Sequence, residues 1–174
     1  MKIMTKRELF SEREIAERVK EIGKKISEDY EGKSILLVGI LKGAFVFMAD
    51  LARSITCPCH VDFARISSYG DGTVSSGNLE IKMDVSLPVE GRDVILVDDI
   101  IDTGLTLHHY RKYLEGKKPH SLRTAALIDK TARREKFVDL DYCGFKVKDG
   151  FIVGYGLDCG EDFRNLQGIY ILED

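Results

Sequence analysis

The sequence predicts an α/β fold, a mainly parallel sheet flanked by helices. Three observations carry that expectation. "SILLVGIL" (34–41) is a continuous apolar run with the pattern of a strand covered on both faces, "DVILVDDI" (93–100) is expected to be the next buried strand and "LRTAALID" (122–129) a further strand. The first two runs are each followed by a stretch of helical character, and strands alternating with helices imply right-handed crossovers. With 174 residues, 44% of them hydrophobic and only 3 of them proline, the chain suits one domain with a substantial core, and residues 1–174 are expected to form it.

Each element has its own signature. "SEREIAERVKEIGKKISEDY" opens with Ser11 and Glu14 in capping-box spacing and then places Ile15, Val19, Ile22 and Ile26 along one stripe, which predicts an amphipathic helix. After Gly32–Lys33 comes the buried strand 34–41, then "KGAFVFMADLAR" as a helix. "VDFARI" (61–66) is expected to be a strand, and "LEIKMDV" (79–85) alternates apolar and polar residues, the pattern of a half-exposed strand. Between them "SSYGDGTVSSGN" (67–78) has no periodicity and is rich in Ser and Gly, which suggests a lid. The strand at 93–100 leads to the helix "LTLHHYRKYLEG", closed by Gly116, and a further strand ends at Lys130. "GFIVGYGLD" (150–158) and "GIYILED" (168–174) are expected to be two short strands with glycine-rich joints.

The charge balance, 26 Lys plus Arg against 29 Asp plus Glu, provides no overall basic field and argues against a protein that coats nucleic acid. No apolar run approaches the roughly 20 residues that cross a bilayer, and "MKIMTKRELF" lacks the apolar stretch of a signal peptide, so no membrane partner and a cytoplasmic location are expected. The four cysteines are expected to be reduced thiols. "CPCH" lacks the second ligand pair of a zinc site and fits a turn leading into a strand.

In open α/β sheets ligands bind at the carboxyl ends of the strands. Lys42 and Gly43, the run Asp98–Thr106, Lys130 and Asp158 all fall at such ends. "DTGLT" (102–106) offers successive backbone N–H groups, two hydroxyls and a permissive glycine at a helix start, a nest suited to phosphate. Asp98 and Asp99 would repel that anion unless they face other atoms, and ribose hydroxyls are natural partners for a carboxylate. The stretch therefore suggests a sugar phosphate with Mg²⁺ as the shared cation. The G-x-x-x-x-G-K-[ST] pattern of a P-loop is absent from this stretch.

"VILVDDIIDTGLTL" (94–107) resembles the 5-phosphoribosyl-1-pyrophosphate motif of type I phosphoribosyltransferases, in particular the branch acting on 6-oxopurines. "LLVGILKGAFVFMADL", "ISSYG", "LIDK" and "GFIVGYGLDCGEDFRNL" extend the resemblance in order over most of the chain. It implies the family fold, with a lid at about 67–78 and a small hood whose C-terminal part is about 151–174. It implies the substrates 5-phosphoribosyl-1-pyrophosphate and hypoxanthine or guanine, Mg²⁺ as cofactor, and a homodimer or homotetramer.

By the same resemblance Asp98 and Asp99 would hold the ribose hydroxyls. The loop Asp102, Thr103, Gly104, Leu105 and Thr106 would cradle the 5′-phosphate, with Asp102 as general acid/base near purine N7. Leu105 stands where other members carry a basic or polar residue. Lys130 would donate to the 6-oxo group, Phe151 would stack on the purine, and the Ile152 carbonyl and Asp158 would complete that pocket. Leu41, Lys42, Gly43 and Arg164 would contact pyrophosphate, with a cis peptide before Lys42. Ser67, Ser68, Tyr69 and Gly70 would belong to the lid, and Asp98, Asp99 and Asp158 to the metal site. Competing expectations are a transferase for xanthine or uracil, a regulatory binding protein that kept the motif, and a phospho-accepting signalling domain. The last leaves the threonine–glycine nest unexplained.

Overall fold

The structure is a computed structural model that describes residues 4–68 and 79–173. Along the chain the elements are β1 (Thr5–Phe10), α1 (Glu12–Asp29), β2 (Ile35–Leu41), α2 (Phe45–Ser54), β3 (Cys59–Ser68), β4 (Leu79–Met83), β5 (Asp93–Ile101), α3 (Leu105–Glu115), β6 (Ser121–Lys130), β7 (Tyr142–Val147), β8 (Phe151–Val153) and β9 (Ile169–Glu173). The larger sheet has the order β4-β3-β2-β5-β6-β7. Its strands pair in parallel except β4, which runs antiparallel to β3 at the edge.

Burial explains the continuous apolar runs. Side chains of a strand alternate between its faces, and a strand covered on both sides must be apolar at every position. In β2, Ile35 and Leu37 face the core that α1 and α2 close. Leu36, Val38 and Ile40 face the opposite core with α3. β5 divides in the same way, Ile95 and Val97 to one side and Val94 and Leu96 to the other.

The helix α1 begins as expected. Ser11 Oγ accepts from the Glu14 N–H (3.2 Å) while Glu14 Oε2 accepts from the Ser11 N–H (2.8 Å). Its buried stripe is Ile15, Val19, Ile22 and Ile26. Gly23 interrupts that stripe for a reason: a Cβ there would lie 2.5 Å from Ser54 Cβ, so only glycine lets α1 approach the end of α2 this closely.

Several boundaries differ from the sequence expectation. β3 takes in Ser67 and Ser68, expected in the lid, because their backbones pair with Glu80 and Leu79 of β4. β4 stops at Met83, which is exposed, rather than at Val85. The helix expected from Lys42 starts at Phe45, and "GFIVGYGLD" is a strand only over Phe151–Val153. Beyond it Gly154 (φ 96°), Tyr155 (φ 51°) and Gly156 (φ 98°) are left-handed, which a strand cannot accommodate.

Two strands carry no expectation from the sequence. β1 pairs with β9 in a three-stranded antiparallel sheet ordered β1-β9-β8. Its first four residues are exposed, so no apolar period marks it. What holds it is pairing across the chain, reinforced by the Arg7 guanidinium donating to Glu173 Oε1 from Nε (2.9 Å) and Nη2 (2.8 Å). β7 adds to the far edge of the larger sheet beside β6. Among the described residues no helix is long and apolar enough to cross a membrane.

Candidate active site

The carboxyl ends of β2, β5 and β6 open toward one region, where three backbone segments meet at van der Waals limits. A Cβ on Gly43 would lie 1.9 Å from Asp99 Oδ2, and a Cβ on Gly156 would lie 2.4 Å from the Gly43 carbonyl oxygen. The turn after β2 is thus stacked against Asp99 at the end of β5 and against the loop after β8, with a glycine at each of the two contacts. The Leu41–Lys42 peptide is cis, as expected.

The segment Asp102–Thr106 forms the turn from β5 into α3. Gly104 caps the helix at φ 79° and ψ −2°, and a Cβ there would meet the Lys136 carbonyl oxygen at 2.4 Å. Thr103 Oγ1 accepts from the Leu105 N–H (3.3 Å). A cavity of about 240 Å³ lies in front of the turn, lined by Asp98, Ile100, Ile101, Asp102, Thr103, Gly104, Thr106 and Leu107. The first N–H groups of a helix have no partner within it and carry the positive end of its dipole, so this cavity favours an anion. Leu105 does not line it, which accounts for a leucine there: charge is supplied by backbone and hydroxyls.

Asp102 stands at the lip of the nest. Its Oδ2 lies 3.2 Å from Arg133 Nη1 and 3.6 Å from Lys130 Nζ. Its Oδ1 is buried and has no hydrogen-bond partner among the described residues. Such an atom is costly unless a ligand group meets it. Lys130 is buried at the end of β6 and also donates to the Gly150 carbonyl (3.1 Å). Phe151 begins β8 with 55% of its surface exposed, which leaves a ring face available for stacking, while Ile152 beside it is buried.

Asp98 and Asp99 sit side by side at the end of β5. The Asp99 N–H donates to Asp98 Oδ1 (2.9 Å), and the Ile100 N–H donates to Asp99 Oδ1 (2.8 Å). Burial, and then the neighbouring Asp99 charge, push the Asp98 carboxyl well above the usual carboxylate range. Burial also raises Asp99, against the pull of backbone N–H groups and of Arg164. Two such carboxylates call for hydroxyl donors or a cation.

On the opposite wall Asp158 Oδ2 accepts from the Glu161 N–H (2.8 Å), and its Oδ1 lies 3.3 Å from Arg164 Nη2. Arg164 Nη1 donates to the Gly156 carbonyl (2.8 Å), and its Nε is buried without a partner among the described residues. Glu161 bridges the two expected pyrophosphate cations, 2.8 Å from Lys42 Nζ and 3.1 Å from Arg164 Nη2. Among the described residues no three His, Cys, Asp or Glu side chains converge into a ready-made metal cage. Carboxylate oxygens remain the donor chemistry Mg²⁺ takes, and Mg²⁺ commonly keeps waters and binds through one or two carboxylates plus substrate phosphates.

Sequence reading did not single out Gly156, Glu161, Arg133 or Arg134. Arg134 donates to the carbonyls of Asp102 (3.0 Å), Ile101 (3.2 Å) and Lys130 (3.2 Å) and pairs with Asp129. The Arg–Arg pair three residues after Lys130 was a visible signal. Of the expected lid residues, Ser67 donates to Glu80 Oε2 (3.0 Å) at the end of β3, where Ser68 also lies. Tyr69 and Gly70 lie outside the described residues.

A phosphate nest at a helix start, paired aspartates at a strand end and a buried lysine on the next strand define a protein that handles a phosphorylated sugar. The phosphoribosyl transferase domain matches residues 6–159, and the chain belongs to that family. Within it the chain falls in the hypoxanthine-guanine phosphoribosyltransferase branch. It is 47% identical over 167 residues to that protein of Aquifex aeolicus, covering 95% of this chain and 94% of the relative. It is also 47% identical over 167 residues to that of Dictyostelium discoideum, covering 94% and 93%. A crystal structure of a hypoxanthine-guanine phosphoribosyltransferase from Bacillus anthracis superposes with TM-score 0.91 at 42% identity, over 95% of this chain and 97% of that one.

Proposed function

We propose that the chain transfers the 5-phosphoribosyl group from 5-phosphoribosyl-1-pyrophosphate to N9 of hypoxanthine or guanine, giving IMP or GMP and pyrophosphate. The observation that carries this reading is Asp102: one carboxylate oxygen is tied to cations, and the other is buried, unpartnered and beside the anion nest. In the reaction the N9–C1′ bond forms, the bond from C1′ to the pyrophosphate oxygen breaks, and Asp102 takes the proton the purine must lose.

The amides and hydroxyls of Thr103 to Thr106 hold the 5′-phosphate, and Asp98 and Asp99 accept from the ribose hydroxyls. Lys130 donates to the purine 6-oxo oxygen. Adenine would set its amino donor against that ammonium, so the lysine selects against it. Phe151 stacks on the ring, and the Ile152 carbonyl and Asp158 border the 2-position. Lys42, Gly43 and Arg164 receive the pyrophosphate, with Glu161 displaced from between the two cations. Asp98, Asp99 and Asp158 would hold Mg²⁺ together with the substrate, and the ion would supply positive charge against the pyrophosphate. Residues 1–174 act as one domain with the small sheet as hood. The protein works in the cytoplasm as a homodimer or homotetramer, consistent with the exposed Phe45 beside a groove of about 650 Å³.

The test is direct. The protein, Mg²⁺ and the pyrophosphorylated sugar are mixed with hypoxanthine, guanine, xanthine, adenine or uracil in turn, and nucleotide formation is followed. Product with the first two, and loss of turnover but not of binding in Asp102→Asn, is expected. Absence of product with every base would sink the reading.

A further inference from the structure

We infer that Arg133 is a positioning residue for this reaction: its guanidinium holds Asp102 Oδ2 and thereby fixes the side-chain rotamer that leaves Oδ1 aimed at the substrate. The inference rests on the acid/base reading of Asp102 and goes beyond it.

The segment after β6 straps the phosphate turn from behind. Thr103 O accepts from the N–H groups of Glu135 (2.8 Å) and Lys136 (3.1 Å), Arg134 fixes the carbonyls of Ile101 and Asp102, and the Lys136 carbonyl lies against Gly104. These contacts fix the backbone of Asp102. They leave its carboxylate free to rotate.

Two cations reach that carboxylate, both at Oδ2: Arg133 Nη1 at 3.2 Å and Lys130 Nζ at 3.6 Å. Lys130 is shared with the Gly150 carbonyl and, in the proposed function, turns to the purine oxygen. Arg133 is then the partner that stays. Its planar donors fix direction as well as charge, which an ammonium does not. The pair holds one specific oxygen, and the other is the buried atom without a partner. Arg133 itself is largely exposed, with 65% of its side-chain surface accessible, and its Nη1 donates to Asp102 Oδ2.

The experiment uses the full chain with Mg²⁺, the pyrophosphorylated sugar and hypoxanthine, and compares wild type, Arg133→Gln, Arg133→Lys, Asp102→Asn and the Asp102→Asn/Arg133→Gln double variant. Arg133→Gln is expected to lower kcat about threefold to tenfold, with KM for both substrates within about twofold of wild type. Arg133→Lys should restore part of the loss, because charge returns without direction. In the Asp102→Asn background Arg133→Gln should cost nothing further, since the group it positions is gone. Thermal melting of Arg133→Gln should match wild type, as expected for an exposed side chain.

A wild-type kcat for Arg133→Gln, a loss confined to KM, or the same fold-loss in the Asp102→Asn background would each overturn the inference. The two readings fail differently. Full activity in Asp102→Asn would overturn the acid/base role together with this inference, whereas an impaired Asp102→Asn beside an unaffected Arg133→Gln would overturn this inference alone.

Discussion

Gly43→Ala isolates the packing on which the site depends. A methyl at this position would lie 1.9 Å from Asp99 Oδ2 and 2.7 Å from its Cγ, against an ordinary contact of at least 3.4 Å. Either the turn after β2 or the Asp99 carboxylate must therefore move by about 1.5 Å. Asp99 is the softer of the two, because its side chain can rotate while β5 is fixed by parallel pairing to β2 and β6. A rotamer displaced in this way costs about 0.5–1.5 kcal/mol, so the variant should fold and lose only a few degrees in Tm. Catalysis should suffer far more, since a misplacement of about 1 Å costs on the order of a hundredfold, or about 2.7 kcal/mol of transition-state stabilisation. Steady-state kcat/KM for the pyrophosphorylated sugar, measured beside a thermal melt, separates the two effects. A Gly43→Ala protein with wild-type kcat/KM would refute the claim that Gly43, Asp99 and Gly156 are packed to their limit. A protein that fails to fold would refute the claim that the strain is local.

Two further outcomes follow from the fold. Leu37→Ala empties a fully buried position in the core beneath α1 and α2 and should lower the unfolding free energy by about 2–5 kcal/mol in a urea titration; a loss under 1 kcal/mol would contradict that packing. Asp62 provides an acid-dependent term. Burial raises its carboxyl, but the N–H groups of Leu87, Phe63 and Ser86 outweigh this and hold it below its ordinary value. A carboxyl depressed in the folded state stabilises the fold above its unfolded pKa, about 3.9, and that contribution is lost as pH falls through the folded value. Asp62→Asn should therefore be less stable than wild type at neutral pH and should close the gap below about pH 4; parallel urea curves at both pH values would contradict the assignment.

The elements that set up the site were legible because their signals are local. β2 and β5 are buried on both faces, so apolar residues run without a break, and the nest from Asp102 to Thr106 is contiguous in sequence. β1 was not legible, because its outer residues are solvated and its stability comes from pairing with β9 at the other end of the chain. Gly156 shows the same limit within the site. Nothing in "VGYGLD" reveals that the second glycine faces the Gly43 carbonyl, a contact that the fold alone creates. Glu161 illustrates it for charge: alone it resembles a solvated surface residue, and its pairing with Lys42, 119 residues away, exists only in the fold.

The site's own electrostatics argue for the ligand it takes. Asp98 and Asp99 are neighbours at the end of a strand, and burial raises both carboxyls, Asp98 further by the Asp99 charge. A pair raised in this way works against the folded state at neutral pH, the opposite sense to Asp62. Across the mouth, Lys42 and Arg164 share the exposed carboxylate of Glu161 rather than a buried partner, and Arg164 Nε has none among the described residues. Asp98 and Asp99 accept from backbone N–H groups, and Lys42 and Arg164 pair with the protein's own carboxylates, Glu161 and, for Arg164, Asp158. The proposed ligand, with vicinal hydroxyls at one end and a pyrophosphate at the other, would bring donors to the two carboxylates and an anion to the two cations in one molecule, whereas a free base or an inorganic anion would bring at most one of these.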